Sequence, residues 1–324
     1  MHRVAAMERM GHGVHFVDPR RYLPSTSIVD HFEWQVHPGP LAAIVRSRLM
    51  GNLKIGYFDF AFVDGGNLVD ARLVRELRSR CGKVVNFNHD DPYGPRDERR
   101  WMTYRSAIPE YDLVVVVREE NVGEAYALGA QRVLKVFRVA DEVAHCPVVL
   151  TESQRLQWQS DVVFVGTWMP ERGPLLSELI SLGVPLSIFG NRYERAAEWP
   201  ILKKAWRGPG VADEEYRILV QCAKVCLGLV SKQNRDLHTT RSLEIPSIGS
   251  VLCAERTAEH SLMYEEGVEA EYWSSAQECA EKCWKLLFDD GARKVMAERG
   301  RRKFLASGNT SEGLLTRIFQ VASK

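Results

Sequence analysis

The sequence has no long apolar run. Among its 324 residues no hydrophobic stretch approaches the ~20 needed to span a bilayer, and the longest, such as 113–117, have strand length. It also lacks an excess of either charge: 43 Lys and Arg face 42 Asp and Glu, for a net charge of +1. No global field therefore recruits nucleic acid or a membrane, and an anionic ligand must be met by a local site. The opening residues Met1, His2 and Arg3 do not begin the apolar core of a signal peptide. A cytoplasmic protein without a transmembrane segment is expected, with peripheral membrane contact left open.

Paired cysteines are missing too. The seven, Cys81, Cys146, Cys222, Cys226, Cys253, Cys279 and Cys283, are odd in number and scattered through apolar segments. Cys222 and Cys226, like Cys279 and Cys283, stand four apart. No third and fourth ligand follows at metal spacing, so reduced, buried thiols are expected. There is no short repeat and no low-complexity tract.

What is present is alternation. Short apolar runs at 14–17, 58–63, 84–87, 113–117 and 133–137 read as strands, with helices at 40–50, 69–80, 96–107 and 119–128. Gly82 and Gly129 read as helix stops. The second half repeats the pattern, with strands at 161–165, 186–189, 225–230, 250–253 and 270–273 and helices at 171–182, 213–222, 239–248, 276–288, 292–306 and 311–322. Alternation with short connections predicts parallel sheets covered on both faces. Polar residues 140–160 break it, which predicts one domain over 1–150 and a second over 151–324. Ligands of such domains sit at the carboxyl ends of the strands.

Three segments there carry polar chemistry. In the first, an apolar strand runs into Gly166, Thr167 and Trp168, then Pro170, Glu171 and Arg172. Gly166 would let a phosphate approach the backbone, and Arg172 would pair with it; an ordinary strand-to-helix turn accounts for the same residues. The second, 234–249, crowds Asp236, His238, Arg241 and Glu244 around a helix start. A helix N-terminus, a histidine and an arginine suit a diphosphate, and a carboxylate one turn on suits ribose hydroxyls. The alternative is an internal Arg241–Glu244 pair. In the third, His89, Asp90 and Asp91 follow a first-domain strand. His89 would carry a proton or bind the transferred sugar, with Asp90 orienting it, unless the segment is a plain Asp-Pro turn.

No further carboxylate or histidine falls at ligand spacing near Asp90, so no metal is expected; Arg172, Arg241 and helix dipoles would neutralise the ligand. The residues 64–67, the tryptophans 168, 199, 206 and 273 and the basic run 293–303 read as structural.

The run F-V-G-T-W-M-P-E-R at 164–172, the stretch 231–249 with Arg241, Ser242, Leu243 and Glu244, and the tail 300–319 resemble the CgeB-like (spore maturation protein) glycosyltransferases, related to glycosyltransferase family 4. Residues 9–14 and 86–92 resemble the group more loosely. The resemblance implies a GT-B fold, two Rossmann-like domains facing across a cleft, with 1–150 as the acceptor-side domain, 151–324 as the nucleotide-sugar domain and the last helix packing back on the first. It implies a nucleotide-diphosphate sugar as donor, an acceptor glycan, protein or small molecule, and no further cofactor. Family 4 enzymes carry two glutamates separated by seven residues. Glu244 matches the second, a ribose contact, and the first falls on Asp236. The donor-side basic pair falls on Arg172 with Lys224 or Arg241, and the family's His-Asp on His89 and Asp90. The family's first strand has no counterpart ahead of the helix at 4–10, so a non-catalytic surface or spore assembly protein is a rival reading, and a sugar-nucleotide epimerase is another.

Overall fold

The computed structural model describes residues 2–53 and 56–324. They form two compact units. One comprises Met7–Phe137, Gln233–Arg235 and Leu314–Lys324; the other comprises Arg138–Lys232, Asp236–Gly313 and the stretch ending at Ala6.

The N-terminal unit is built on a parallel sheet of β1 (Phe58–Asp64), β2 (Cys81–Asn88), β3 (Leu113–Val116) and β4 (Val133–Lys135), in that order. β3 is four apolar residues with none more than 1% exposed, as a strand covered on both faces must be. The helix Ala71–Arg78 starts where the Asp70 side chain accepts from Leu73 N–H at 2.8 Å. It packs Leu73 and Val74 into a core with Val45, Val84, Tyr104 and Tyr111. The helix Glu119–Ala127 stops as expected, at Gly129 with a φ of 89°.

Several expectations fail here for local reasons. Residues 14–17 form no strand, and Phe16 is 49% exposed; four residues between Gly13 and Asp18 bury too little. Gly82 does not end a helix. It is the second residue of β2, and a Cβ on it would lie 2.8 Å from the Asp59 carbonyl of the neighbouring strand. The helix expected at 96–107 is only Met102–Ala107, because Arg96, Asp97, Glu98, Arg99 and Arg100 offer no apolar face.

The C-terminal unit carries six parallel strands: β5 (Ser160–Val165), β6 (Leu186–Phe189), β7 (Trp206–Gly208), β8 (Ala223–Gly228), β9 (Val251–Glu255) and β10 (Glu271–Trp273). The spatial order is β10-β9-β8-β5-β6-β7. The chain winds from β5 outward through β6 and β7, then returns beside β5 with β8 and winds the other way. This is the Rossmann order, and the reversal between β5 and β8 opens a crevice at their carboxyl ends. β7, three residues long, was not legible in the sequence. The core joins Phe164, Leu176, Ile188, Val225, Leu227, Val251 and Trp273. Burying each large side chain contributes roughly 1.5–3 kcal/mol.

Candidate functional site

At the carboxyl end of β5 the backbone turns through Gly166. Its N–H donates to the Phe189 carbonyl at 2.9 Å, and its own carbonyl accepts from the Tyr193 hydroxyl at 3.1 Å. A Cβ on Gly166 would fall 2.7 Å from the Phe164 ring and 3.2 Å from Arg172 Nη1, so this turn has no room for a side chain. Arg172 opens the helix Arg172–Ser181 and bends back: Nη1 donates to the Thr167 carbonyl at 2.7 Å, and the guanidinium carbon lies 5.5 Å from the Phe164 ring centre. Burial lowers its pKa, and the nearby Arg241 cation pushes the same way. Arg172 Nε is buried without a partner among the described residues.

The second arginine comes from the helix that follows β8. The helix Arg241–Ile248 ends at Gly249 with a φ of 90°, the Ser250 N–H returning to the Ile245 carbonyl at 3.1 Å. Arg241 stands at its first turn. Nη1 donates to Glu244 Oε2 at 2.9 Å and to Thr240 Oγ1 at 3.2 Å, and the guanidinium carbon sits 4.6 Å over the Tyr216 ring. The side chain lines a small recess with Val163 and Val165 of β5, Cys226 and Leu227 of β8, and Tyr216. Burial works against its charge, but Tyr216 and Glu244 outweigh it and hold the pKa above the ordinary value. Arg241 Nε, like that of Arg172, is buried without a partner among the described residues. Two buried guanidinium donors unmet by protein, on side chains close enough for one charge to depress the pKa of the other, are costly unless an anion is bound there.

Glu244 completes the cluster. Its second oxygen, Oε1, faces His145 Nε2 at 3.8 Å. The Asp141 N–H donates to His145 Nδ1 at 3.0 Å, so the neutral ring carries its proton on Nε2, toward the carboxylate. Burial lowers the His145 pKa. At the end of β9, Glu255 Oε1 accepts from the Val230 N–H at 3.2 Å; burial raises the pKa of this carboxyl, with Lys232 opposing. Neither His145 nor Glu255 was singled out from sequence. His145 lies in the polar stretch read as a linker, and Glu255 ends a strand with no motif around it.

The other expected donor-side residues go elsewhere. Lys224 is at the opposite edge of the sheet, at the start of β8, paired with Asp161 at 2.8 Å. Asp236 is buried, its carboxylate held by Arg138 Nη2 at 2.9 Å. His238 precedes the helix instead of sharing a face with Arg241. Its Nε2 accepts from the Arg138 N–H at 2.8 Å, and Nδ1 meets Glu259 at 2.5 Å. Burial lowers its pKa. The helix start is pinned by a further buried pair: His260 Nδ1 contacts the Glu255 carbonyl at 2.6 Å, so Nε2 accepts from the Ser242 hydroxyl at 2.7 Å, and Ser242 Oγ accepts from the Thr239 N–H at 3.1 Å.

In the N-terminal unit, His89 and Asp90 follow β2. The Asp90 N–H donates to Asn88 Oδ1 at 2.9 Å, and Arg118 Nη1 donates to the Asp90 carbonyl at 2.6 Å. The Asp90 carboxylate faces Arg100 at 3.8 Å; that guanidinium stacks on Trp34 at 3.7 Å. Asp91 is taken by Arg235, which donates Nε and Nη2 to its two oxygens at 2.7 Å each.

Residues 172–320 match the family model described as glycosyl transferase-like, a region that begins at Arg172 and contains Arg241 and Glu244. No match was found among curated proteins. Solved structures resemble the whole fold. Sucrose-phosphate synthase from Thermosynechococcus elongatus aligns with a TM-score of 0.63 at 14% identity, over 93% of this chain and 79% of that one. Anabaena HepE in complex with UDP aligns with a TM-score of 0.59 at 13% identity, over 88% and 82%. The pneumococcal O-GlcNAc transferase GtfA, in complex with UDP and GlcNAc, aligns with a TM-score of 0.57 at 11% identity, over 87% and 60%. The chain therefore has the GT-B fold.

Proposed function

We propose that the chain is a glycosyltransferase that takes a nucleotide-diphosphate sugar and passes the sugar to an acceptor hydroxyl without an obligatory metal. One observation carries this: Arg172 and Arg241 open the helices that follow β5 and β8, close enough for the Arg241 charge to act on Arg172, each with a buried donor unmet among the described residues, inside the region that matches the glycosyl transferase-like model. In this reading the two arginines and the close-approach turn at Gly166 and Thr167 hold the diphosphate. They stabilise the charge that grows on it as the bond to the sugar breaks, the part a metal plays elsewhere. Glu244, steadied by Arg241 and His145, accepts from ribose hydroxyls. His89 and Asp90 remain the proposed sugar-side groups. The runs 164–172 and 241–244 place the chain, in this proposal, in the CgeB-like group. HepE and GtfA, solved with UDP, support a nucleotide donor.

A thermal-shift screen against uridine, guanosine, adenosine, cytidine and thymidine diphosphates and their sugars tests the proposal, with EDTA present throughout. At least one should stabilise the protein. No shift with any of them defeats it, and conversion of a donor sugar with no acceptor present would point to epimerisation instead.

A further inference from the structure

The interior of the C-terminal unit holds a group that the donor site does not use. Cys253 stands in β9, and Cys279 and Cys283 stand one turn apart on the helix Ala276–Phe288. The sequence suggested no third ligand for the helical pair, but the fold brings one: the three Sγ atoms lie within 4.8 Å of one another. All three side chains are 0% exposed, and they share a core with Val225, Leu227, Val251, Trp273 and Leu286. Among the described residues no histidine or carboxylate joins the three sulfurs.

We propose that Cys253, Cys279 and Cys283 form a three-coordinate site for a soft, thiophilic trivalent ion, of which arsenite is the accessible probe. Thiolates select soft ions over calcium or magnesium, which need oxygen ligands. A closed zinc site takes four protein ligands, a three-ligand one adds water, and this fully buried group offers three sulfurs among the described residues. Charge decides the rest. Three thiolates on a divalent ion leave one negative charge, and on a monovalent ion two, beside Glu278, which already disfavours a thiolate at Cys279, and beside Glu271, whose own charge Lys282 and Lys285 already match. Burying a net charge costs several kcal/mol. A trivalent ion gives a neutral complex. The step is redox-neutral: arsenous acid loses three hydroxyls, three As–S bonds replace three As–O bonds, and each thiol proton leaves in a water molecule. At a metal–sulfur length of about 2.3 Å, sulfurs that lie within 4.8 Å of one another have to close by no more than roughly 1 Å, which side-chain rotation supplies.

The test uses the reduced full-length protein incubated with arsenite, and in parallel with Zn²⁺ or Cd²⁺, then desalted. The expected result is one arsenic per chain by elemental analysis. Peptide mapping after alkylation in denaturant should find Cys253, Cys279 and Cys283 protected and Cys81, Cys146, Cys222 and Cys226 modified. Cys279→Ala should lose the arsenic, while a variant with the other four cysteines replaced by alanine should keep it. Sub-stoichiometric loading, protection of other cysteines, or firmer retention of Zn²⁺ than of arsenic would overturn the proposal. The mapping is done on the unmutated chain, so it decides even where a variant does not fold.

Discussion

Arg241 donates to Glu244 one helical turn away at 2.9 Å while its guanidinium lies 4.6 Å over the Tyr216 ring. The pair is therefore not a solvated surface ion pair. It is half-buried, and it orients both the cation proposed for the diphosphate and the carboxylate proposed for the ribose. Glu244→Gln separates the two roles. Affinity for a nucleoside diphosphate should fall about tenfold, equivalent to about 1.4 kcal/mol, while affinity for inorganic pyrophosphate should not fall. Calorimetry with both ligands measures this, and equal losses for the two would remove Glu244 from the ribose.

Asp236 is expected to be a structural group. Its carboxylate is 5% exposed and bound to Arg138, 98 residues earlier in the chain. Asp236→Ala removes a buried charge-assisted hydrogen bond to Arg138, which costs about 1.5–3 kcal/mol. Denaturant melts should record that loss, and donor affinity of the folded variant should be unchanged. A stable variant with lost donor binding would return Asp236 to the ligand.

The three buried histidines of the C-terminal unit give a signed pH dependence. Burial depresses the His260 pKa to about 4, and lowers those of His145 and His238 as well. The unfolded chain, with histidine near ~6.5, binds the proton first. The stabilisation from keeping His260 neutral is full above that value and is lost as pH falls through the folded pKa. Its size is about 3 kcal/mol. Urea midpoints at about pH 7.5 and about pH 5 should drop steeply for the unmodified chain and less for His260→Gln. Parallel slopes would show that His260 is not the group responsible.

Lys224→Ala serves as the control for position. The lysine pairs with Asp161 at 2.8 Å, both about half exposed, at the amino-terminal edge of the sheet. Such exposed pairs contribute about 0–1 kcal/mol. The variant should bind donor as the unmodified chain does, and a clear loss would mean that the ligand reaches the wrong end of the strands.

Much of the fold was legible because buried parallel strands are written as apolar runs: 113–117, 161–165 and 225–230 each contain an observed strand or overlap one closely. Caps were legible where a side chain meets its own helix, as at Asp70. Arg172, Arg241 and Glu244 drew attention in the sequence because polar residues at strand ends and helix starts stand out against those runs. What sequence could not give is the choice of partner. Nothing near His238 says that Arg138, 100 residues earlier, occupies its Nε2. Nothing near Cys279 says that Cys253 lies beside it. Lys224 came from the resemblance alone; its place ahead of the strand expected at 225–230 already put it at the amino end, where β8 has it.

The most direct measurement is calorimetric titration of the nucleoside diphosphate selected by the thermal screen into the unmodified chain, Arg172→Ala and Arg241→Ala. Each truncation removes charge-assisted hydrogen bonds of about 1.5–3 kcal/mol, so each should weaken binding by at least about tenfold while the folded state persists by circular dichroism. Undiminished affinity in folded Arg241→Ala would contradict the account at its centre.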